Sequence, residues 1–167
     1  MPQRAGSCFV NPERDTRLPV PVASRSVRVS VLPLHRAIYV SDAVGDAATS
    51  LLVLVEILGE SERNNRRDGL TGVLMRHAGR FLQLIEGPRG DVDRLLKRLR
   101  TDPRHENLRV LSDQNVSDRL FPKWPMALAQ MTPDAARLLN GAPLDQLSPE
   151  RAQTLLRTAA LALTLPA

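Results

Sequence analysis

The order of strand and helix patterns after residue 34 constrains the fold of this chain more than any other feature. Short β-branched or alternating runs predict strands, and longer runs with apolar residues every three or four positions predict helices. The predicted elements are a strand at 35–41, a helix at 47–65, strands at 71–77 and 80–87 joined by the turn Ala78-Gly79, a helix at 91–102, and strands at 107–113 and 125–131. Right-handed crossovers place both helices on one face of the resulting sheet.

The strand at 80–87 is predicted to lie at the centre of the sheet, between the strands at 35–41 and 71–77. This is an α+β fold of the ferredoxin-like type, a mixed sheet of βαββαβ order with an extra strand. Alternation puts Phe81, Gln83 and Ile85 on one face and Leu82, Leu84 and Glu86 on the other. Both faces are apolar, so the second face needs a cover. We expect C-terminal helices at 133–140 and 148–165 to supply it, with a partner chain as the alternative.

Residues that start and stop helices delimit the first helix. Asp46 is a candidate N-cap, and Leu51, Val55 and Leu58 recur at helical spacing. Gly69 follows as a stop. The pattern therefore predicts one continuous amphipathic helix before the hairpin.

The second helix opens at Gly90 or Asp91 and ends at Pro103. Its apolar residues recur at i, i+3, i+4 and i+7, namely Val92, Leu95, Leu96 and Leu99. We expect this stripe to pack on the sheet beside the first helix.

The N-terminal segment differs from the rest of the chain. Residues 1–33 hold five Arg against two acidic residues, within a net charge of +5 for all 167 residues. Its Arg, Ser and Pro content predicts a basic, disordered extension that could bind anionic surfaces. No apolar run approaches the ~18 residues of a membrane span, and none resembles a secretory signal. Since Cys8 is the single cysteine, we expect no disulfide and a cytoplasmic location.

No catalytic or metal-binding motif stands out. His35, His77 and His105 lie on different elements without ligand spacing, so surface or capping positions are expected for them. The glycine cluster at 87–90 lacks a phosphate-binding or dinucleotide-binding fingerprint. No face of interleaved arginines and aromatic residues supports nucleic-acid binding. We therefore predict no enzyme activity and no metal.

Polar residues do occur where burial is expected. Gln83 lies between Leu82 and Leu84, and a buried amide needs partners for both its donor and its acceptor. Five motifs surround it in order: YVS at 39–41, SERNNRRDGLTGVLM at 61–75, GRFLQLIEGP at 79–88, TDPRHENLRVL at 101–111, and RLFPKW-P-M at 119–126. Together they resemble the blue-light-using-FAD (BLUF) photoreceptor domain.

The resemblance implies a flavin, FAD with FMN as the alternative, held by a set of residues between the two helices. By resemblance, Asn65 bonds the carbonyl side of the flavin pyrimidine, with Asn64 and Ser61 beside it. Arg98 and Asp102, four residues apart on the second helix, would hold the ring edge and the ribityl chain. The full implied set is Tyr39, Ile57, Ser61, Asn64, Asn65, Gln83, Arg98, Leu99 and Asp102, with Ile57 and Leu99 as apolar walls.

The resemblance also implies the photochemistry. Tyr39 would donate an electron and a proton to the excited flavin, and Gln83 would then change its hydrogen bonds. Trp124 and Met126 match the residues thought to sense Gln83 and relay the change. Trp124 is also the one rival electron donor.

These expectations combine into a division of the chain and a function. We expect a basic extension at 1–33, a flavin-binding domain at 34–131 and a helical extension at 132–167. The function implied is a blue-light photoreceptor that signals to an unidentified protein and forms a homo-oligomer. The alternative is a ferredoxin-like interaction module without photochemistry. A flavin enzyme is disfavoured because Tyr39 and Gln83 would occupy the reactive edge of the ring.

Overall fold

A five-stranded sheet with helices on both sides forms the described part of the chain, residues 33–163 of a computed structural model. The N-terminal extension at 1–33, predicted to be disordered, lies outside the described part except for Pro33. The strands are β1 (Leu34–Ala43), β2 (Thr71–His77), β3 (Arg80–Pro88), β4 (His105–Val116) and β5 (Ala127–Ala129). The helices are α1 (Asp46–Thr49), α2 (Leu51–Arg67), α3 (Arg89–Leu99), α4 (Pro133–Leu139) and α5 (Pro149–Leu161), with a 3₁₀ turn at Leu144–Gln146.

The strand order is β4-β1-β3-β2-β5, so β3 is central. The four long strands β1–β4 pair with one another in antiparallel orientation, and the short strand β5 pairs with β2 in parallel. The α+β prediction with a ferredoxin-like mixed sheet is therefore confirmed. In the register of β1 on β3, Tyr39 lies directly opposite Gln83, which puts both side chains on one face.

The first predicted helix is in fact two helices. Ser50 adopts an extended conformation (φ −72°, ψ 129°) and breaks the run, and its side chain caps α2 by accepting a hydrogen bond from the Val53 backbone at 3.3 Å. The expected N-cap, Asp46, is instead the first residue of the four-residue α1. A serine that bonds a backbone N–H three residues later favours a helix start over a helix interior.

The inward face of α2 also differs from the simplest pattern. Leu51 and Val55 are 65% and 55% exposed, while Leu54 and Ile57 are buried. The run LLVLVEIL is apolar on nearly every side, so two sets of residues satisfy helical spacing. Only packing against the sheet selects between them.

The other element limits shift by several residues. Helix α3 begins at Arg89 and ends at Leu99, so Pro103 is not its terminator. Strand β4 is longer than expected because it pairs along nearly the whole of β1. Strand β5 is only three residues long. Asp102 is consequently outside the helix, in the turn that precedes β4.

Two hydrophobic cores lie on opposite faces of the sheet. The α2/α3 side packs helices α2 and α3 on Ala37, Tyr39, Leu74, Phe81 and Ile85. The C-terminal side packs α4 and α5 on Ile38, Val40, Val73, Leu82 and Leu84. The C-terminal helices thus cover the second face, as predicted. No helix within residues 33–163 is long and apolar enough to cross a membrane.

Candidate functional site

Three side chains linked by hydrogen bonds lie on the α2/α3 side of the sheet. Tyr39 is 0% exposed and Gln83 is 4% exposed. The Tyr39 hydroxyl donates to Oε1 of Gln83, whose Nε2 donates to the Met126 sulfur at 3.5 Å. A phenol, an amide and a thioether are therefore linked across β1, β3 and the segment that leads into β5.

Burial sets the protonation of the phenol. Desolvation, followed by the negative charge of Asp102, raises the pKa of Tyr39 far above the range of a free phenol. Tyr39 therefore keeps its proton throughout the physiological pH range. That proton is committed to the hydrogen bond with Gln83.

Asn65, at the end of α2, leaves one buried polar atom without a partner. Its side chain is fully buried, and Nδ2 donates to the Pro125 carbonyl at 2.8 Å. Among the described residues, Oδ1 accepts no hydrogen bond. A buried amide oxygen in this state carries a desolvation cost, and it is satisfied by a ligand that brings an N–H. The pyrimidine edge of a flavin carries such a group beside its carbonyls.

A slot opens between α2 and α3 above Asn65. Its volume is about 100 Å³, and it is lined by Glu60, Ser61, Asn64, Asn65, Leu95, Arg98, Leu99, Asp102 and Arg104. Six residues of the predicted flavin-binding set are in this lining. Ile57 is outside this lining. Like Tyr39 and Met126, it is buried in the core on the same side of the sheet. An apolar wall with a few placed amides and charges is typical of a small-molecule site.

Arg98 and Asp102, both predicted to hold the flavin, do not pair with each other. Arg104 binds Asp102, with Nη2 at 2.6 Å from Oδ2, and lowers the pKa of that carboxyl. Arg98 faces Asp68 at 3.8 Å instead. The four-residue spacing brings side chains together only along a helix, and α3 ends at Leu99. Sequence reasoning missed Arg104 as the partner of Asp102. The pattern that could have indicated it is an arginine two residues after an aspartate in a turn.

Trp124 and Met126 diverge although they are two residues apart. Met126 reaches Gln83, but the Trp124 ring packs on the C-terminal side, 6.1 Å from the ring of Phe121. The Trp124 carbonyl accepts from the backbone of Gly72 at 3.0 Å. A Cβ at position 72 would lie 2.3 Å from the Leu84 carbonyl oxygen, so this position requires glycine.

A buried carboxylate anchors the segment that carries these two residues. Glu86 is 0% exposed and lies on the C-terminal side of β3. It accepts from Arg36 Nε at 2.7 Å and from the backbone N–H groups of Leu120 and Phe121 at 2.9–3.0 Å. Arg36 also donates to the Asp118 carbonyl at 2.9 Å. Sequence reasoning missed this role, because Glu86 was assigned only to a face.

Two histidines predicted at surface or capping positions are buried. His35 is 1% exposed and contacts Asn115 and Asp113. His105 is 8% exposed, bonds the Ser41 hydroxyl at 2.9 Å and lies against the Phe81 ring, with 4.9 Å between ring centroids. Burial lowers the pKa of His105. Their partners lie on neighbouring strands, so local spacing could not reveal them.

The chain is similar to known light-sensing proteins. The family model described as sensors of blue light using FAD, BLUF, matches residues 34–127. Photoactivated adenylate cyclase subunit beta of Euglena gracilis is 32% identical over 98 residues, covering 59% of this chain and 11% of the relative. The chain therefore spans about a tenth of the curated relatives that it matches.

Solved structures show the same fold. The dark-state structure of BlrB, a BLUF protein, matches with a TM-score of 0.66 at 28% identity, covering 80% of this chain and 98% of BlrB. The photo-activated state of BlsA matches in fold with a TM-score of 0.72 at 24% identity, covering 80% of this chain and 99% of BlsA. The family model spans more than half of the 167 residues, and the orphaned amide and slot suit a flavin edge. This chain belongs to the BLUF family of blue-light flavin photoreceptors, which use FAD.

Proposed function

We propose that this chain senses blue light through the hydrogen-bonded chain Tyr39–Gln83–Met126 and passes the change to its C-terminal helices. The observation that carries the proposal is the fully buried phenol donating to an amide whose other end contacts Met126. The unsatisfied Asn65 oxygen beside the slot supports a flavin as the group that completes the site.

The chain's own residues would hold the cofactor in the slot between α2 and α3. Asn65 and Asn64 would face the polar ring edge, Leu99 would contact the apolar ring, and Arg98 and Asp102 would lie nearer the ribityl chain. Bound flavin supplies the absorption of blue light and an acceptor for one electron. Because amides are neutral donors and acceptors, they bind the ring edge without adding charge to a buried site.

Tyr39 is the donor of the electron and the proton. Burial raises the pKa of the phenol, so Tyr39 holds its proton before illumination. Loss of an electron makes any phenolic proton strongly acidic, and this proton would pass through the Gln83 amide to the flavin, which would also take the electron. The site thereby changes its bonding without a net change in charge.

Gln83 converts this transfer into a change of shape. When its amide reorients, the oxygen and nitrogen exchange places, and the bond from Nε2 to the Met126 sulfur is broken or replaced. Met126 precedes β5, which pairs with β2 beneath the C-terminal helices. We infer that this edge of the sheet transmits the signal to a separate protein by a shift in population.

The two segments of the chain would have separate roles. The 34–131 segment would act as the photosensory unit and 132–167 as its output extension, without enzymatic turnover by either. A homo-oligomer and a cytoplasmic partner protein are the expected context. Light scattering in the dark and under blue light tests this, since an unchanged mass with a candidate partner present contradicts it.

An absorption spectrum before and after blue light tests the central claim. Purified protein with FAD should be yellow and show a small, reversible red shift. Tyr39→Phe should retain flavin and lose the shift, because the phenol is the donor. Trp124→Phe is the matched aromatic control, because its ring packs on the other side of the sheet, and it should keep the shift. A normal photocycle in Tyr39→Phe, or colourless wild-type protein after addition of FAD, contradicts the proposal.

A further inference from the structure

Three exposed apolar side chains cluster at the start of α2. Leu51 and Leu52 are 65% and 69% exposed, and Val55 is 55% exposed. They are three of the six large apolar side chains that are exposed in the described part of the chain. Single exposed apolar residues are ordinary on a protein surface, whereas a cluster of them marks a surface that contacts another molecule.

Gly59 lies one turn beyond Val55 on the outer face of α2. Positions 52, 56, 59 and 63 recur at helical spacing, so they share the side of the helix that is turned away from the sheet. Among the described residues, a Cβ at position 59 would meet only the end of the Arg63 side chain, with Nη1 at 3.5 Å. The packing of this chain therefore does not require the glycine, which is less favourable than alanine in a helix interior. Its use here lets another helix approach closely.

The two charges on this outer face are unpaired. Elsewhere on α2, Glu60 binds Arg104 and Glu62 binds Arg66. Within residues 33–163, Glu56 and Arg63 take part in no ion pair. They lie seven residues apart, about 10 Å along the helix axis, which is too far for them to pair with each other. The face thus presents one negative and one positive charge, separated by the glycine.

We propose that this face of α2 pairs with the same face of a second copy of the chain, with the two helices antiparallel about a two-fold axis. When positions 56 and 59 flank the axis, Glu56 of one copy faces Gly59 of the other, where the guanidinium of Arg63 lies. The symmetry forms this ion pair twice. Leu52 of each copy packs on the methylene stem of Arg63 of the other. A parallel pair would instead oppose like charges, so the charge pattern selects the antiparallel arrangement.

The pairing face is separate from the flavin site. Positions 52, 56, 59 and 63 do not line the slot between α2 and α3. The inference rests on the homo-oligomer of the proposed function and assigns a surface to it, but it requires neither light nor flavin chemistry. A single helix pair is small beside the roughly 1,600 Å² of a standard interface, so we expect dimers that form as the concentration rises.

Reversal of the two charges tests the proposal. Sedimentation velocity is measured in the dark on the full chain with FAD, at low salt, over about a hundredfold range of concentration. Wild type should shift from monomer to dimer. Glu56→Arg and Arg63→Glu should each weaken the dimer about tenfold, because each replaces two attractive contacts by two repulsive ones. The double variant Glu56→Arg with Arg63→Glu should regain the wild-type affinity, and so should an equal mixture of the two single variants.

Arg157→Glu is the matched control, because it makes the same change of charge at an exposed position of α5. It should dimerise like the wild type. A wild type that stays monomeric at every concentration, or a double variant as weak as the single variants, overturns the inference. A wild type that dimerises but shows no red shift under blue light supports the inference and contradicts the proposed light sensing.

Discussion

Two buried polar side chains on opposite sides of the central sheet, Glu86 and Asn65, differ in how they are satisfied. On the C-terminal side, the Glu86 carboxylate is satisfied by Arg36 and by two backbone N–H groups. On the α2/α3 side, the Asn65 oxygen has no partner among the described residues. Glu86 is satisfied by the chain itself and maintains the fold, whereas the Asn65 oxygen lines the slot and is free to accept from a ligand. The difference separates the scaffold from the proposed binding site.

Both sides meet at the segment between β4 and β5. Glu86 holds its start at Leu120 and Phe121, and Asn65 holds its continuation at Pro125. Met126 then enters the α2/α3 side and Trp124 the C-terminal side. The segment that contacts Gln83 through Met126 is therefore anchored on one side of the sheet and adjoins the proposed binding site on the other.

Removal of the anchor should have the largest effect on stability. Glu86→Ala leaves Arg36 as an unpaired buried charge, and we expect the free energy of unfolding to fall by about 3–5 kcal/mol. Denaturant unfolding of the flavin-free protein measures this. Glu62→Ala, which removes an exposed pair with Arg66, is the control and should cost below about 0.5 kcal/mol. Equal losses in the two variants would show that Glu86 is not an anchor.

A cavity on the C-terminal side should have the next largest effect. Leu155 is 1% exposed in the core beneath α5, so Leu155→Ala should cost roughly 3 kcal/mol, with or without flavin. Leu138→Ala, at a position 43% exposed, should cost well below half of that. Thermal or denaturant unfolding distinguishes them. A loss that flavin abolishes would mean that this core belongs to the binding site.

The Asn65 amide should matter for the cofactor more than for the fold. At a FAD concentration of 100 times the dissociation constant, a ligand stabilises the folded protein by about 2.7 kcal/mol. Asn65→Ala should lose most of that gain, while Asn115→Ala, a variant outside the slot, should keep it. Unfolding curves with and without FAD provide the measurement. If FAD stabilises Asn65→Ala as much as the wild type, the Asn65 amide does not bind the cofactor.

The smallest effect is a pH dependence on the α2/α3 side. Burial lowers the pKa of His105 below that of a free histidine, about 6.5, although the negative charge of Asp102 opposes this shift and the positive charge of Arg104 adds to it. The unfolded chain then binds a proton that the folded chain does not, so stability falls as the pH drops below about 6.5. His105→Gln should flatten this part of the profile. A profile that is equally steep in the variant assigns the dependence to other groups.

Sequence patterns predicted the parts of this fold that depend on local periodicity. The order of strands and helices, the hairpin and the alternation that puts Gln83 on one face of β3 all follow from neighbouring residues. The amides of the candidate site were assigned through the resemblance of five motifs to the BLUF domain. In contrast, the two-helix form of 46–67 and the buried face of α2 were not predictable, because LLVLVEIL satisfies more than one helical face.

The sequence by itself therefore determined the βαββαβ order, and the resemblance of its motifs to the BLUF domain assigned Tyr39, Gln83 and the amides to one proposed site. Only the tertiary structure decided which partners the charged residues take: Arg104 for Asp102, Arg36 for Glu86, and Asp68 for Arg98. It also decided that Met126 and not Trp124 reaches Gln83. The physical reason is that periodicity arises from bonds between near neighbours. Charge pairing depends instead on strand register and turn geometry, which bring distant residues within a few ångströms.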